Sequence, residues 1–127
     1  MFTKIFYFKN RDELHKKIRY FKDYFLKNEG EFIYKEQDTK LIIISSMDLE
    51  GLDAYLFKDY LDIIKILKNK NFKTFAVRSK RKNSQQENKL LGELILKNLQ
   101  DKKVNLENPE ITIYVDQIKD MNYFYIK

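Results

Sequence analysis

The sequence has no cysteine, which excludes disulfides, thiolate metal ligands and thiol nucleophiles together. Its single histidine, His15, has no second histidine or cysteine to complete a metal site and reads as a surface residue on a charged stretch. One proline and three glycines leave no long flexible linker. Gly30, Gly51 and Gly92 stand too far apart to form a phosphate-cradling loop. No apolar run reaches the length of a membrane span, and the opening Met1-Phe2-Thr3-Lys4-Ile5 lacks a signal-peptide core, so no membrane partner and a cytoplasmic location are expected. Asp59 and Asp62 fall at i, i+3 spacing, but alone they read as a solvated helix face rather than an acid–base pair. No catalytic constellation, metal site or cofactor is therefore expected.

What is present is a chain of 127 residues, 43% hydrophobic and 35% charged, with ten Phe and nine Tyr. That suffices for one domain, or for two small halves, with a buried core. Phe2 to Lys9 alternates as a first strand, and Asn10 to Asp12 mark a helix cap. Leu14, Ile18, Phe21 and Phe25 recur at helical spacing over 13–28, and Asn28-Glu29-Gly30 is a stop signal. Residues 31–35 and 40–45 read as strands around a turn, with Leu41-Ile42-Ile43-Ile44 apolar enough for a central strand. Small and polar residues over 45–51 suggest a boundary between halves, giving domains 1–45 and 46–127. A second amphipathic helix is expected over 53–67, with Leu56, Tyr60, Leu61, Ile64 and Leu67 inside. A strand over 72–79 follows, then a third helix over 84–100 that buries Leu90, Leu91, Leu94, Ile95 and Leu99. Gly92 inside that helix suggests a close packing contact. Ile111, Ile113 and Val115 mark one strand and residues 121–126 another. The spacing of Phe2, Phe6, Phe8, Phe21, Phe25, Phe57 and Phe75 assigns them to the core, whereas Tyr123 and Tyr125 are compatible with either a sheet surface or a binding site.

Charge is distributed unevenly. The run from Ile63 to Gln86 carries Lys65, Lys68, Lys70, Lys73, Arg78, Lys80, Arg81 and Lys82 and no acidic residue, while the remaining 17 basic side chains stand against 19 acidic ones. A basic face of this kind suits a polyanion, nucleic acid first. Within it, Phe75 and Val77 alternate with Arg78 as a strand requires, and Ser84 followed by Glu87 reads as a capping box opening the third helix. The cluster would then lie at a strand end beside a helix N-terminus, where backbone N–H groups and the helix dipole favour phosphate.

Three stretches, Phe75-Ala76-Val77-Arg78-Ser79-Lys80-Arg81, Leu91-Gly92, and Val104-Asn105-Leu106-Glu107-Asn108-Pro109-Glu110 with Ile111, Ile113 and Val115, resemble in order and spacing the THUMP domain. Asn105 and Glu110 depart from the Asp more usual there and receive no family role. The resemblance covers roughly the last 80 residues. It implies an α+β fold, a mixed curved sheet covered by helices, with a small ferredoxin-like N-terminal half before it. It also implies RNA binding, chiefly of tRNA, in or beside enzymes that make 4-thiouridine, methylated bases, pseudouridine or N4-acetylcytidine. The sequence carries neither the Ser-Gly-Gly-x-Asp-Ser loop of an ATP-pyrophosphatase nor a Rossmann-like methylase half, so it is similar to the adaptors that present tRNA to a separate enzyme.

The expected RNA-binding residues are Lys70, Lys73, Arg78, Lys80, Arg81, Lys82 and Asn83, with tRNA and a separate tRNA-modification enzyme as partners and a homodimer admitted. Each has a plainer reading: a solvated strand rim, lysines complementing a helix dipole, or a polar loop before a helix. Two alternatives of other classes stand beside this one. The chain could be a split piece of a modifying enzyme, active only with its catalytic chain, or a protein-interaction domain whose basic patch meets an acidic partner.

Overall fold

A computed structural model describes residues 1–127, which divide into two compact units, Met1–Ala54 and Tyr55–Lys127. The first contains β1 (Phe2–Tyr7), α1 (Arg11–Lys27), β2 (Phe32–Gln37), β3 (Lys40–Ser45) and β4 (Leu52–Asp53), with strand order β2-β3-β1-β4 and every pairing antiparallel. Asn10 caps α1 by accepting from the Glu13 N–H at 2.9 Å. The expected stripe Leu14, Ile18, Phe21 and Phe25 is buried against Leu41, Ile43 and Leu49, and β3 is the interior strand that its apolar run implied. At the end of α1 it is Glu29, not Gly30, that adopts the left-handed conformation, with φ 54°. Gly30 serves close approach instead, because a Cβ there would lie 2.7 Å from Met47 Sδ and from Phe25 Cδ1. Phe2 is exposed, contrary to expectation, whereas Phe6 and Phe8 pack at the core's margin.

The second unit contains β5 (Tyr55–Leu56), α2 (Tyr60–Leu67), β6 (Thr74–Ser79), α3 (Ser84–Asn98), β7 (Lys103–Val104), β8 (Ile111–Ile118) and β9 (Met121–Ile126). Its sheet runs β5-β9-β8-β6-β7, with β6 parallel to both β7 and β8 and the other pairs antiparallel. Phe75 and Val77 of β6, Ile113 and Val115 of β8 and Phe124 of β9 pack against Ile63, Ile64 and Leu67 of α2 and Leu91 and Ile95 of α3. Each fully buried Leu, Ile or Phe contributes about 1.5–3 kcal/mol through removal from water. Both units are thus α+β, with helices covering mixed or antiparallel sheets, as the sequence implied.

Three details differ from the sequence reading. The second helix begins at Tyr60 rather than near Asp53, because Leu52–Asp53 pairs with β1 and Tyr55–Leu56 with β9; Leu56 on β5 and Leu61 on the helix, both expected inside, are exposed. Its start is fixed by Asp59, which accepts from Leu61 N–H at 2.9 Å, and by Asp62, which accepts from Lys58 N–H at 2.9 Å and Asp59 N–H at 3.3 Å. The Lys58 and then the Asp59 N–H hold the Asp62 carboxyl below its ordinary pKa, so this carboxylate pair is a capping box. In α3, Leu90 is exposed while Leu91 and Ile95 are buried, as is Leu99 just past its end.

Gly92, the third detail, makes no close contact: a Cβ built there meets nothing within 4 Å. Glycine inside a helix is worse than alanine by about 1 kcal/mol. Gly92→Ala should therefore stabilise the protein by about 0.5–1 kcal/mol, read as a higher urea midpoint at unchanged m-value. A lower midpoint would mean that α3 needs glycine for its own packing.

Candidate nucleic-acid interface

β6, β7 and β8 are mutually aligned, so their carboxyl ends lie on one side of the sheet, the side on which ligand sites of parallel α/β units form. At that end the chain passes from β6 through Lys80, Arg81, Lys82 and Asn83 into α3. Asn83 is left-handed at φ 59°, ψ 39°, and no side chain caps the helix. The expected Ser84–Glu87 capping box does not form. Ser84 is already the first helical residue, and Glu87 is turned inward.

Glu87 is the centre of a buried network. Its Oε1 accepts from Ser79 Oγ at 2.6 Å and from Arg81 Nε at 2.9 Å; its Oε2 accepts from Tyr60 Oη at 2.6 Å and from Arg81 Nη2. Arg81 Nη1 donates to Asn122 Oδ1 at 2.8 Å, and its guanidinium lies 5.4 Å from the centre of the Phe57 ring. Burial pushes the Glu87 carboxyl up, but donation by Arg81, Ser79 and Tyr60 outweighs it, and its pKa falls below the ordinary value. Burial, followed by the bond to Glu87, pushes the Tyr60 phenol up. One ion pair thus ties the start of α2, the end of β6, the first turn of α3 and the start of β9. The carboxyl end of β6 is held further by the Ser79 N–H, which donates to Asn88 Oδ1 at 2.6 Å.

The sequence-predicted residues are therefore placed in three ways. Arg81 is committed to internal partners and holds the corner in shape; its side chain is only 17% exposed. Arg78, Lys80, Lys82 and Asn83 are exposed together at the carboxyl end. Arg78 Nη2 donates to the Leu106 carbonyl at 2.9 Å, and Lys80 Nζ donates to Tyr125 Oη at 2.7 Å beside the stacked rings of Tyr114 and Tyr125. Tyr123 is buried and donates to Asp116 Oδ2 at 3.2 Å, and Tyr125 is buried too, its hydroxyl meeting Lys80. Lys70 and Lys73 lie before the other end of β6, separated from the first group by about 17 Å at 3.3 Å per residue.

That far end also gathers two lysines the sequence reading missed. Lys103 N–H donates to the Lys73 carbonyl at 3.0 Å, and Lys102 Nζ reaches the Phe72 carbonyl, 4.3 Å from that ring's centre. Only the parallel pairing of β7 with β6 brings them there, although the Lys102-Lys103 doublet is visible in the sequence. Asn105 accepts from Glu107 and Asn108 N–H groups at 3.1 and 3.0 Å, and Glu110 accepts from Lys73 N–H at 3.4 Å, so both shape the loop into β8. No group of three or more His, Cys, Asp or Glu side chains is arranged to hold a metal, and no helix is long and apolar enough to cross a membrane.

The chain is similar in fold to a 4-thiouridine synthetase crystallised with RNA and bound ATP (TM-score 0.66, 18% identity). It is also similar to PH1313 from Pyrococcus horikoshii Ot3 (TM-score 0.72, 18% identity). Both align over all of this chain, which spans 41% and 54% of their respective lengths. No match was found among curated proteins. The family model for the THUMP domain matches residues 56–127, nearly the whole second unit. By that match the chain belongs to the THUMP domain family, whose domain is RNA-binding and occurs in tRNA-modifying enzymes.

Proposed function

We propose that the chain is a non-catalytic tRNA-binding module that presents the acceptor end of tRNA to a separate tRNA-modification enzyme. The observation that carries this reading is the exposure of Arg78, Lys80 and Lys82 at the carboxyl end of β6, in the stretch of chain that leads into the uncapped N-terminus of α3. Lysine acts there as a point charge on phosphate, arginine as a fork, and the amides of the first helical turn as donors. RNA helices are recognised through phosphates and 2′-hydroxyls more than through base edges, which suits a surface built this way. Lys70 and Lys73, at the far end of β6, would meet a different phosphate. The titratable cluster nearby fits no acid–base role, since Glu87 is pushed down and Tyr60 up, each away from neutrality.

Neutralising two of the three exposed cations with Arg78→Gln and Lys82→Gln should weaken filter retention of deacylated tRNA about tenfold, with the thermal midpoint unchanged. Unchanged retention would reject the assignment. A second reading draws on the lengths of the similar structures, of which this chain spans 41% and 54%: an RNA-binding piece of a modifying enzyme, active only with a catalytic chain. It predicts stable co-purification with that chain and modification of tRNA only when the two are mixed.

A further inference from the structure

Between α3 and the β6–β7 edge lies a groove of about 480 Å³, walled by Val77, Leu96, Val104 and Leu106 around Gly92. Leu96, Val104 and Leu106 are 43%, 45% and 64% exposed, an aliphatic patch of the kind that marks protein contact. Three observations bear on what fills it. Gly92 weakens its helix without any contact that requires glycine, and any larger residue would fill the groove, so the space is kept open at the expense of stability. β7 is an edge strand whose Lys103 and Asn105 N–H groups turn inward to the Lys73 and Phe75 carbonyls; strand alternation turns the N–H and C=O of Val104 outward. The rim carries Arg78 and Lys89 against Glu93, a positive balance. No exposed aromatic ring offers a stacking platform, since Phe75 is fully buried, so the walls suit Leu or Val side chains better than nucleobases.

We propose that this groove docks an extended segment of a partner protein. Its alternate aliphatic side chains fill the space over Gly92, its backbone pairs with the outer edge of β7, and its flanking carboxylates meet Arg78 and Lys89. The occupant is thus an acidic-flanked aliphatic peptide, and the surface is distinct from the phosphate corner except at Arg78.

The test uses the full chain and two short synthetic peptides that alternate Leu and Val, one with Glu ends and one with Lys ends, followed by fluorescence anisotropy. The Glu-ended peptide should bind about tenfold more tightly than the Lys-ended one. Gly92→Leu, which occupies the groove, and Leu106→Ser, which removes one of its aliphatic walls without changing charge, should each weaken that binding about tenfold while tRNA retention stays within about twofold. Absence of binding by the Glu-ended peptide, or equal binding to the parent and both variants, would overturn the proposal. So would loss of tRNA retention in Gly92→Leu, which would give the groove to RNA. Because tRNA retention is read separately, failure of the docking groove and failure of the RNA assignment give different results.

Discussion

Glu87→Gln should lower the stability of the protein by about 3 kcal/mol, the expected scale when one partner of a buried ion pair is removed and the other stays. The side chains of Glu87 and Arg81 are 8% and 17% exposed, so the guanidinium would remain largely desolvated without a countercharge. The residual exposure of Arg81 sets the effect at the low end of the range. Arg81→Met with Glu87→Leu removes both desolvated charges at once and should be more stable than either single replacement. Urea unfolding at unchanged m-value reads all three. The pH dependence follows from the same carboxylate. Its folded pKa lies below the unfolded value of about 4.3, so its contribution is present above that value and is lost as pH falls through the folded one. The parent should lose stability through this acid window, and Glu87→Gln should show a shallower loss there. Equal urea midpoints and equal acid limbs would remove Glu87 from its place at the centre of the corner.

The same residue marks where sequence reasoning stops. Elements whose signal is local were legible: Leu14, Ile18, Phe21 and Phe25 share a helix face by spacing alone, and Phe75, Val77 and Arg78 alternate as a strand does. Ser84 and Glu87 also form a local motif, but Arg81 and Tyr60 compete for the Glu87 carboxylate, and tertiary pairing wins. Residues 52–56 have helix-compatible spacing, yet they are claimed by strands from distant parts of the chain, which no window of sequence contains. Arg81 and Lys82 are adjacent cations, and only burial separates a residue that builds the corner from one that faces solvent. The basic run itself was visible as a single feature. The length of β6 divides it between two ends of the sheet, and β7 brings Lys102 and Lys103 to one of them.

If the exposed cations bind phosphate, raising salt from about 50 to about 200 mM should weaken tRNA binding by about a hundredfold, because each neutralised phosphate releases counterions and the logarithm of affinity falls linearly with the logarithm of salt. A footprint of about four phosphates gives that size at slopes of 0.7 to 0.9 per contact. Arg78, Lys80 and Lys82 with the amides at the start of α3 account for a footprint of that order at the carboxyl end of β6. The Arg78→Gln, Lys82→Gln variant should then show a slope shallower by roughly two contacts, with the two affinities converging at high salt. A residue that merely props up the fold would lower affinity without changing the slope. An acidic protein as the true ligand gives a different pattern: weak retention of deacylated tRNA at moderate salt, indifferent to Lys82. A salt slope near zero for the parent chain would separate the basic corner from RNA altogether, since phosphate contact without counterion release is not available to lysine and arginine in water.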